Sequence, residues 1–338
     1  MPTADEMHTD LPQRKLGPFQ VSAIGLGCMN LSHAYGVPPP EENAKALLLA
    51  ALEAGVTLFD TAALYGFGAN EELVGRVLGI HRREFVLASK CGMTGVDGKR
   101  VIDGHPKTLK KTCEQSLRNL RTEVIDLYYL HRWDKRVPIE ESVGALADLV
   151  REGKIRSIGL SEVSAATLRK AHREHPITAI QNEFSLWSRN AELGVLDACR
   201  ELGVTLVAFS PLGRGFLSGK LREVESFDAK DIRRGMPRFQ AGNFAANLRL
   251  LDQFGALAAE AACSPAQLAL AWLLARDPCI VPIPGTTHIE HLRENMAAAA
   301  ITVLPQLLSR LDTLINQHTV TGPRYAEATQ AEIDTEEF

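Results

Sequence analysis

Eight short apolar segments, each followed by a helix-like stretch, set the limits on how this chain can fold. They fall at residues 23–27, 56–60, 85–90, 125–131, 155–161, 178–182, 205–209 and 280–283, and are rich in Val, Ile, Leu or Phe. Most lack the polar–apolar alternation of a strand with one wet face, so they read as strands covered on their outer side by helices. Helical stretches lie between them at 41–54, 71–78, 108–120, 139–152, 165–175 and 193–202. In the first, Ala44, Leu47, Leu48 and Ala51 share a face and Gly55 supplies the stop. Ser264 before Pro265 marks another start, an N-cap ahead of a residue pre-set for the first turn. This alternation predicts an α/β protein, a (β/α)8 TIM barrel, with an open doubly wound sheet as the alternative.

A chain of 338 residues, 45% of them hydrophobic, is enough for one large core. We expect one barrel domain over residues 14–318 and a polar tail over 319–338. Residues 14–22 read as a hairpin turning at Gly17-Pro18. A long polar insertion at 213–246, carrying Arg233, Arg234 and Arg238, follows the seventh strand and reads as a lid or binding loop. Extra helices are expected at 247–262 and 305–317. The acidic tail is expected to be loose unless it folds over a site.

The formal net charge is −4 with no basic cluster, which argues against nucleic acid or an anionic membrane as partner. No run approaches the roughly 20 apolar residues of a membrane span. Residues 1–13 hold no apolar core for a signal peptide. The six cysteines form no CxxC pair and no zinc-site spacing, so no metal is expected and the thiols read as reduced, in a cytoplasmic protein. Oligomeric state is not readable.

Asp60, Tyr65, Lys90 and His131 each fall at or just past the end of an apolar segment. Singly, these are ordinary turn, cap or surface residues. Together, at the strand ends where barrel chemistry sits, they suit delivery of a proton to a carbonyl oxygen. A phenol titrates near pH 10, and a neighbouring ammonium stabilises its anion and lowers that value. Lys90 supplies the ammonium, Asp60 holds it, and His131 orients the substrate oxygen. An aldolase using Lys90 as a Schiff base is a lesser alternative, because Asp60 keeps the amine charged.

The segments Phe59-Asp60-Thr61-Ala62-Ala63-Leu64-Tyr65-Gly66, Leu87-Ala88-Ser89-Lys90 and Asp126-Leu127-Tyr128-Tyr129-Leu130-His131-Arg132 resemble the aldo-keto reductases. Ile158-Gly159-Leu160-Ser161, Gln181-Asn182-Glu183-Phe184, Ser210-Pro211-Leu212-Gly213-Arg214-Gly215 and Ile283-Pro284-Gly285-Thr286 do so in the same order, from about Arg14 to Leu314. The resemblance implies the barrel fold and an NAD(P)H-dependent reduction of an aldehyde or ketone. Tyr65 would be the general acid, Lys90 and Asp60 would tune it, and His131 would orient the substrate. The β subunits of potassium channels share this fold, so a cofactor-binding subunit with slow turnover is the alternative.

Gly25-Leu26-Gly27 lacks the third glycine of a dinucleotide fingerprint, which argues against a Rossmann site. The resemblance instead implies a cofactor at the barrel mouth, beside Met29 and Asp60. Ser161 and Gln181 would bind the nicotinamide carboxamide; position 162 holds Glu where many relatives carry Asn. Phe209 would stack on the nicotinamide ring. Ser210, Leu212, Gly213, Gly215 and Lys220 would wrap the pyrophosphate. Gly285, Thr286, Thr287, His291, Glu294 and Asn295 would surround the adenosine. NADPH is the expected cofactor, because most of the family uses it. NADH is the alternative, because Arg or Lys is missing where a 2′-phosphate is normally held. Met29, Tyr35, Trp133, Phe184 and Trp187 follow strand ends and are expected to line a pocket for a small-molecule carbonyl.

Overall fold

The computed structural model describes residues 11–338, so the first ten residues of the polar opening stretch lie outside the described residues. Eight parallel strands make one sheet in chain order: β1 (Leu26–Gly27), β2 (Leu58–Asp60), β3 (Val86–Cys91), β4 (Ile125–Leu130), β5 (Ile155–Ser161), β6 (Ile177–Glu183), β7 (Thr205–Phe209) and β8 (Ile280–Pro282). The amide of Gly25 donates to the Pro282 carbonyl at 3.0 Å, and that of Gly27 to Pro284 at 3.3 Å. The first strand therefore meets the last, and the sheet closes into a (β/α)8 barrel rather than an open sheet with two free edges.

Each strand is followed by a helix: Glu41–Glu53, Ala69–Leu78, Pro106–Asn119, Ile139–Arg151, Ala165–Glu174, Val195–Leu202, Pro265–Arg276 and Ile289–Ala297. Ser264 caps the seventh of these: its hydroxyl accepts from the Gln267 amide at 3.2 Å and the Gln267 side chain accepts from the Ser264 amide at 3.0 Å. Two longer helices, Ala241–Glu260 and Pro305–Leu314, and a short one, Glu327–Gln330, lie outside the repeat. The first begins six residues before the expected 247, extending a face that buries Phe244, Leu251 and Phe254.

Strand alternation divides the apolar side chains between two cores. One lies between sheet and helices. The other fills the barrel with Leu58, Val86, Leu127, Ala179, Val207 and Val281, and includes Leu16 and Val21 from the hairpin Gln13–Leu16/Phe19–Ser22. Full burial of these two contributes about 1.5–3 kcal/mol each, and the hairpin thereby closes the N-terminal end. Inside the barrel, a Cβ on Gly159 would lie 2.3 Å from the Tyr129 ring, so only glycine leaves room for it. With one end closed, the opposite mouth is left for chemistry.

Two segments depart from the sequence expectation, and the tail takes the ordered alternative, folding over the barrel mouth. A second hairpin, Met93–Val96 with Lys99–Ile102, rises after β3. The insertion after β7 is less polar inside than its composition suggests: Phe216, Leu217, Phe227, Met236 and Phe239 are all buried. The tail is tied down, its Asp334 carboxylate accepting from Ser164 Oγ at 2.9 Å and Thr167 Oγ1 at 2.6 Å. Among the described residues no single helix is long and apolar enough to cross a membrane.

Candidate active site

A cavity of about 980 Å³ occupies the C-terminal mouth and touches the ends of the barrel strands. Asp60 is the last residue of β2 and stands in register with Gly27 and Ala88; Lys90 on β3 pairs with Tyr129 on β4. The register brings the Lys90 ammonium onto Asp60 Oδ1, where they form an ion pair. Lys90 Nζ also donates to the Thr61 carbonyl at 2.9 Å and reaches the Tyr65 hydroxyl at 3.3 Å. Asp60 Oδ2 accepts from Gln181 Nε2 at 2.8 Å.

Tyr65 reaches this point because the chain turns tightly after β2. Gly66, Phe67 and Gly68 all have positive φ, at 56°, 53° and 99°, conformations that glycine adopts without strain. Asn70 anchors the turn, donating to the Cys28 carbonyl at 2.8 Å and accepting from Thr61 Oγ1 at 2.6 Å. His131 follows β4, and its ring stands edge-on to Tyr65 with centroids 5.8 Å apart. All four polar residues predicted from sequence therefore converge.

Electrostatics gives each a distinct state. Burial pulls the Lys90 ammonium down, but Asp60 and Tyr65 outweigh it, and its pKa rises above that of a free lysine. Burial raises Tyr65, against the downward pull of Lys90, and the net direction is up. The ammonium therefore acts as expected but does not prevail, and the phenol is held as a proton donor. Burial, then Arg132 and Lys90, drives His131 well below the ordinary imidazole value. Its Nδ1 is buried without a partner, which leaves Nε2 as the ring nitrogen available to a molecule in the cavity that His131 lines. The His131 imidazole should stay neutral where a free histidine takes up its proton, when followed by ¹⁵N NMR; a titration near the free value would contradict this direction. Burial raises the Cys28 and Cys91 thiols, leaving them unsuited to nucleophilic work.

The cofactor residues read from sequence divide. Met29, Asp60, Ser161, Gln181, Phe209, Ser210, Leu212, Gly215, Gly285, Thr286, Thr287 and His291 line the cavity, with Ser161 and Gln181 in register on adjacent strands. Gly213, Lys220, Glu294 and Asn295 do not line it. Gly213 has φ 55°, and a Cβ there would meet the Trp187 ring at 2.9 Å; packing on Trp187 accounts for its being glycine. Lys220 stands at the rim, 3.1 Å from His291 Nε2 and 3.8 Å from Glu294, while Asn295 is buried in its helix.

Of the expected substrate pocket, Met29 and Tyr35 line the cavity. Phe184 packs edge-on against Trp272 with centroids 5.6 Å apart, and Trp187 stacks on Phe216 at 4.0 Å. Trp133 donates to the Val137 carbonyl at 2.9 Å. An aromatic after a strand end can turn to the helix layer as readily as to the mouth, and these three turn away.

Several lining residues were not singled out from sequence for this site: Arg100 on the second hairpin, Arg132, Arg214, and Tyr325 from the tail. Arg132 lay inside a quoted motif, and Tyr325 is the lone aromatic in the tail before its last residue. Tyr325 belongs to a buried charged network. Arg214 bridges Glu183 at 2.9 Å and the Tyr325 hydroxyl at 2.9 Å. Arg324 pairs with Glu162, so the Glu at the position where an Asn was expected is matched by a cation from the tail. Arg238, read as a lid arginine, reaches the Gly322 carbonyl at 3.0 Å and Ser188 Oγ at 2.9 Å.

The cavity fits a dinucleotide. Gly27 and Gly285 bring backbone close together at its floor, and a Cβ on Gly285 would meet Asn30 Oδ1 at 2.5 Å. Three guanidinium groups, on Arg214, Arg238 and Arg324, face two buried carboxylates, Glu162 and Glu183, leaving a positive balance beside the loop after β7. No group of three or more side chains suited to hold a metal occurs among the described residues.

A closed (β/α)8 barrel with these polar groups at its mouth defines a carbonyl-directed oxidoreductase class, and the comparisons agree. The model of the aldo/keto reductase family matches residues 23–316, and the chain belongs to that family. It is similar to the glycerol dehydrogenase of Gluconobacter oxydans, at 29% identity over 95% of this chain and 99% of that one, with TM-score 0.83. An aldo-keto reductase of Bacillus halodurans in its holo form is 28% identical over 94% and 99%, with TM-score 0.75. A thermostable aldo-keto reductase in complex with the inhibitor epalrestat is 29% identical over 90% and 100%, with TM-score 0.71.

Proposed function

We propose that the protein reduces an aldehyde or ketone to the alcohol with NADPH, using Tyr65 as general acid. The observation that carries this reading is the Lys90 ammonium, shared between Asp60 and the Tyr65 hydroxyl at 3.3 Å, on the wall of a cavity large enough for cofactor and substrate. The bound nicotinamide would supply the hydride. Tyr65 donates its proton to the carbonyl oxygen as negative charge develops there. Lys90 stabilises the phenolate left behind, and Asp60, braced by Gln181, keeps Lys90 charged and in place. His131 donates from Nε2 to the same oxygen and fixes its position. Ser161 and Gln181 hold the carboxamide, and Phe209 offers a ring face. The six free cysteines support a cytosolic setting for such an enzyme.

NADPH is favoured over NADH because the Lys220 ammonium stands beside His291 at the far end of the cavity, where it could meet a 2′-phosphate. Exchanging Thr287 or His288 for Arg should tighten NADPH about tenfold and NADH far less, measured by fluorescence titration. Equal changes in both affinities would place the phosphate elsewhere. The reaction itself is tested with a panel of carbonyls and alcohols and both cofactors, read at the reduced nicotinamide band. Failure of every carbonyl to consume either cofactor would overturn the proposal.

A further inference from the structure

We propose that Arg132 forms a subsite for an anionic substituent, carboxylate or phosphate, on the carbonyl substrate; this rests on the reductase reading and names its substrate class. Arg132 directly follows His131 and lines the same cavity. Its Nη1 donates to the His131 carbonyl at 2.6 Å and to Ser161 Oγ at 3.3 Å, which fixes the guanidinium beside the reacting groups. No other nitrogen of this side chain has a hydrogen-bond partner among the described residues.

Charge balance distinguishes it from its neighbours. The other three guanidinium groups on the cavity wall each meet a carboxylate: Arg100 meets Glu332, Arg214 meets Glu183 and Arg233 meets Asp231. Arg132 has no ion pair among the described residues. The carboxylate in the lining, Asp60, is already taken by Lys90 and Gln181. A partly buried guanidinium with free donors and no protein counter-ion suits an anionic ligand. Its closeness to the chemistry places that anion near the carbonyl, as in a short carboxylated or phosphorylated aldehyde. Its field on His131 and Tyr65 agrees with this placement.

The test compares matched pairs with the cofactor-loaded enzyme: succinic semialdehyde against methyl 4-oxobutanoate, and glyceraldehyde 3-phosphate against glyceraldehyde. The wild-type protein should favour the charged member of at least one pair in kcat/KM, and which pair responds separates carboxylate from phosphate. In Arg132→Met the charged-to-neutral ratio for that pair should fall about tenfold to a hundredfold, with Arg132→Lys between. A general effect on the developing oxyanion would slow both members alike and leave the ratio unchanged; that result, or a wild-type preference for both neutral members, overturns the subsite while leaving the reductase standing. Should none of the four turn over, the reductase reading itself is in question. Calorimetric titration of the cofactor-loaded protein with succinate and with inorganic phosphate then decides the subsite: weaker binding in R132M supports it, and equal binding refutes it.

Discussion

Replacing Tyr65 by Phe should lower kcat for carbonyl reduction by about 10²- to 10⁴-fold, while the dissociation constant of the cofactor changes less than about twofold; this is the outcome expected of a general acid at Tyr65. The substitution removes one hydroxyl. The ring remains edge-on to His131, and Lys90 keeps both Asp60 and the Thr61 carbonyl. Binding of the dinucleotide rests on other residues, so it has no reason to weaken. Single-turnover kinetics and cofactor fluorescence would separate the two effects. A variant retaining more than a tenth of the activity would show that the proton comes from elsewhere. Lys90→Met is a different experiment. It strands Asp60, buried to within 3% of full cover, without its counter-charge. Such a change costs stability as well as rate, so its activity loss alone would prove little.

Much of this was readable because barrel strands are covered on both faces. A continuous apolar run such as Leu206-Val207-Ala208 has no wet side to encode, and the residue where the run ends marks the mouth. Asp60, Lys90 and His131 were found by that rule alone. The rule fails where side-chain direction decides the outcome. Phe184 and Trp187 also stand just past β6, yet Phe184 packs on Trp272 of the seventh helix and Trp187 on Phe216 of the insertion. A single sequence gives no rotation for a residue beyond the last ladder bond. The second hairpin left a usable trace in Asp97-Gly98, which turn with φ of 49° and 73°. Four residues on either side were too few to stand out.

The charged network under the tail was hidden for a different reason. Its members are scattered from Glu162 to Tyr325, and each looks like ordinary surface charge in its own stretch. Only the closed barrel sets Glu162 and Glu183 side by side, after β5 and at the end of β6, where a cation from the far end of the chain can reach both regions. The coupling runs from the tail to the loop after β7: Tyr325 meets Arg214, and Arg214 meets Glu183. The tail is thus part of the wall of the cavity.

Removing the anchor has a calculable consequence. Arg324→Met leaves the fully buried Glu162 carboxylate without its partner, and loss of one member of a buried pair typically costs about 3–5 kcal/mol. Urea unfolding should register that loss, and hydrogen exchange should show residues 319–338 opening well before the barrel. Glu162→Gln in the same chain removes the stranded charge, so the double variant should recover a substantial part of the stability, a coupling that a simple packing defect would not show. Acid gives an independent reading. Burial would raise the Glu183 carboxyl, but Arg214, Arg324 and Arg238 outweigh it and hold it at about 2, against 4.5 for a free side chain. A carboxylate depressed in the folded state stabilises above its unfolded value and ceases to do so as it protonates. The wild-type protein should therefore lose stability progressively as pH falls from 4.5 towards 2. Arg324→Met, which removes one of the three cations holding Glu183 down, should lose this contribution at a higher pH. Coincident acid transitions in the two proteins, together with unchanged urea midpoints, would mean that Arg324 anchors nothing.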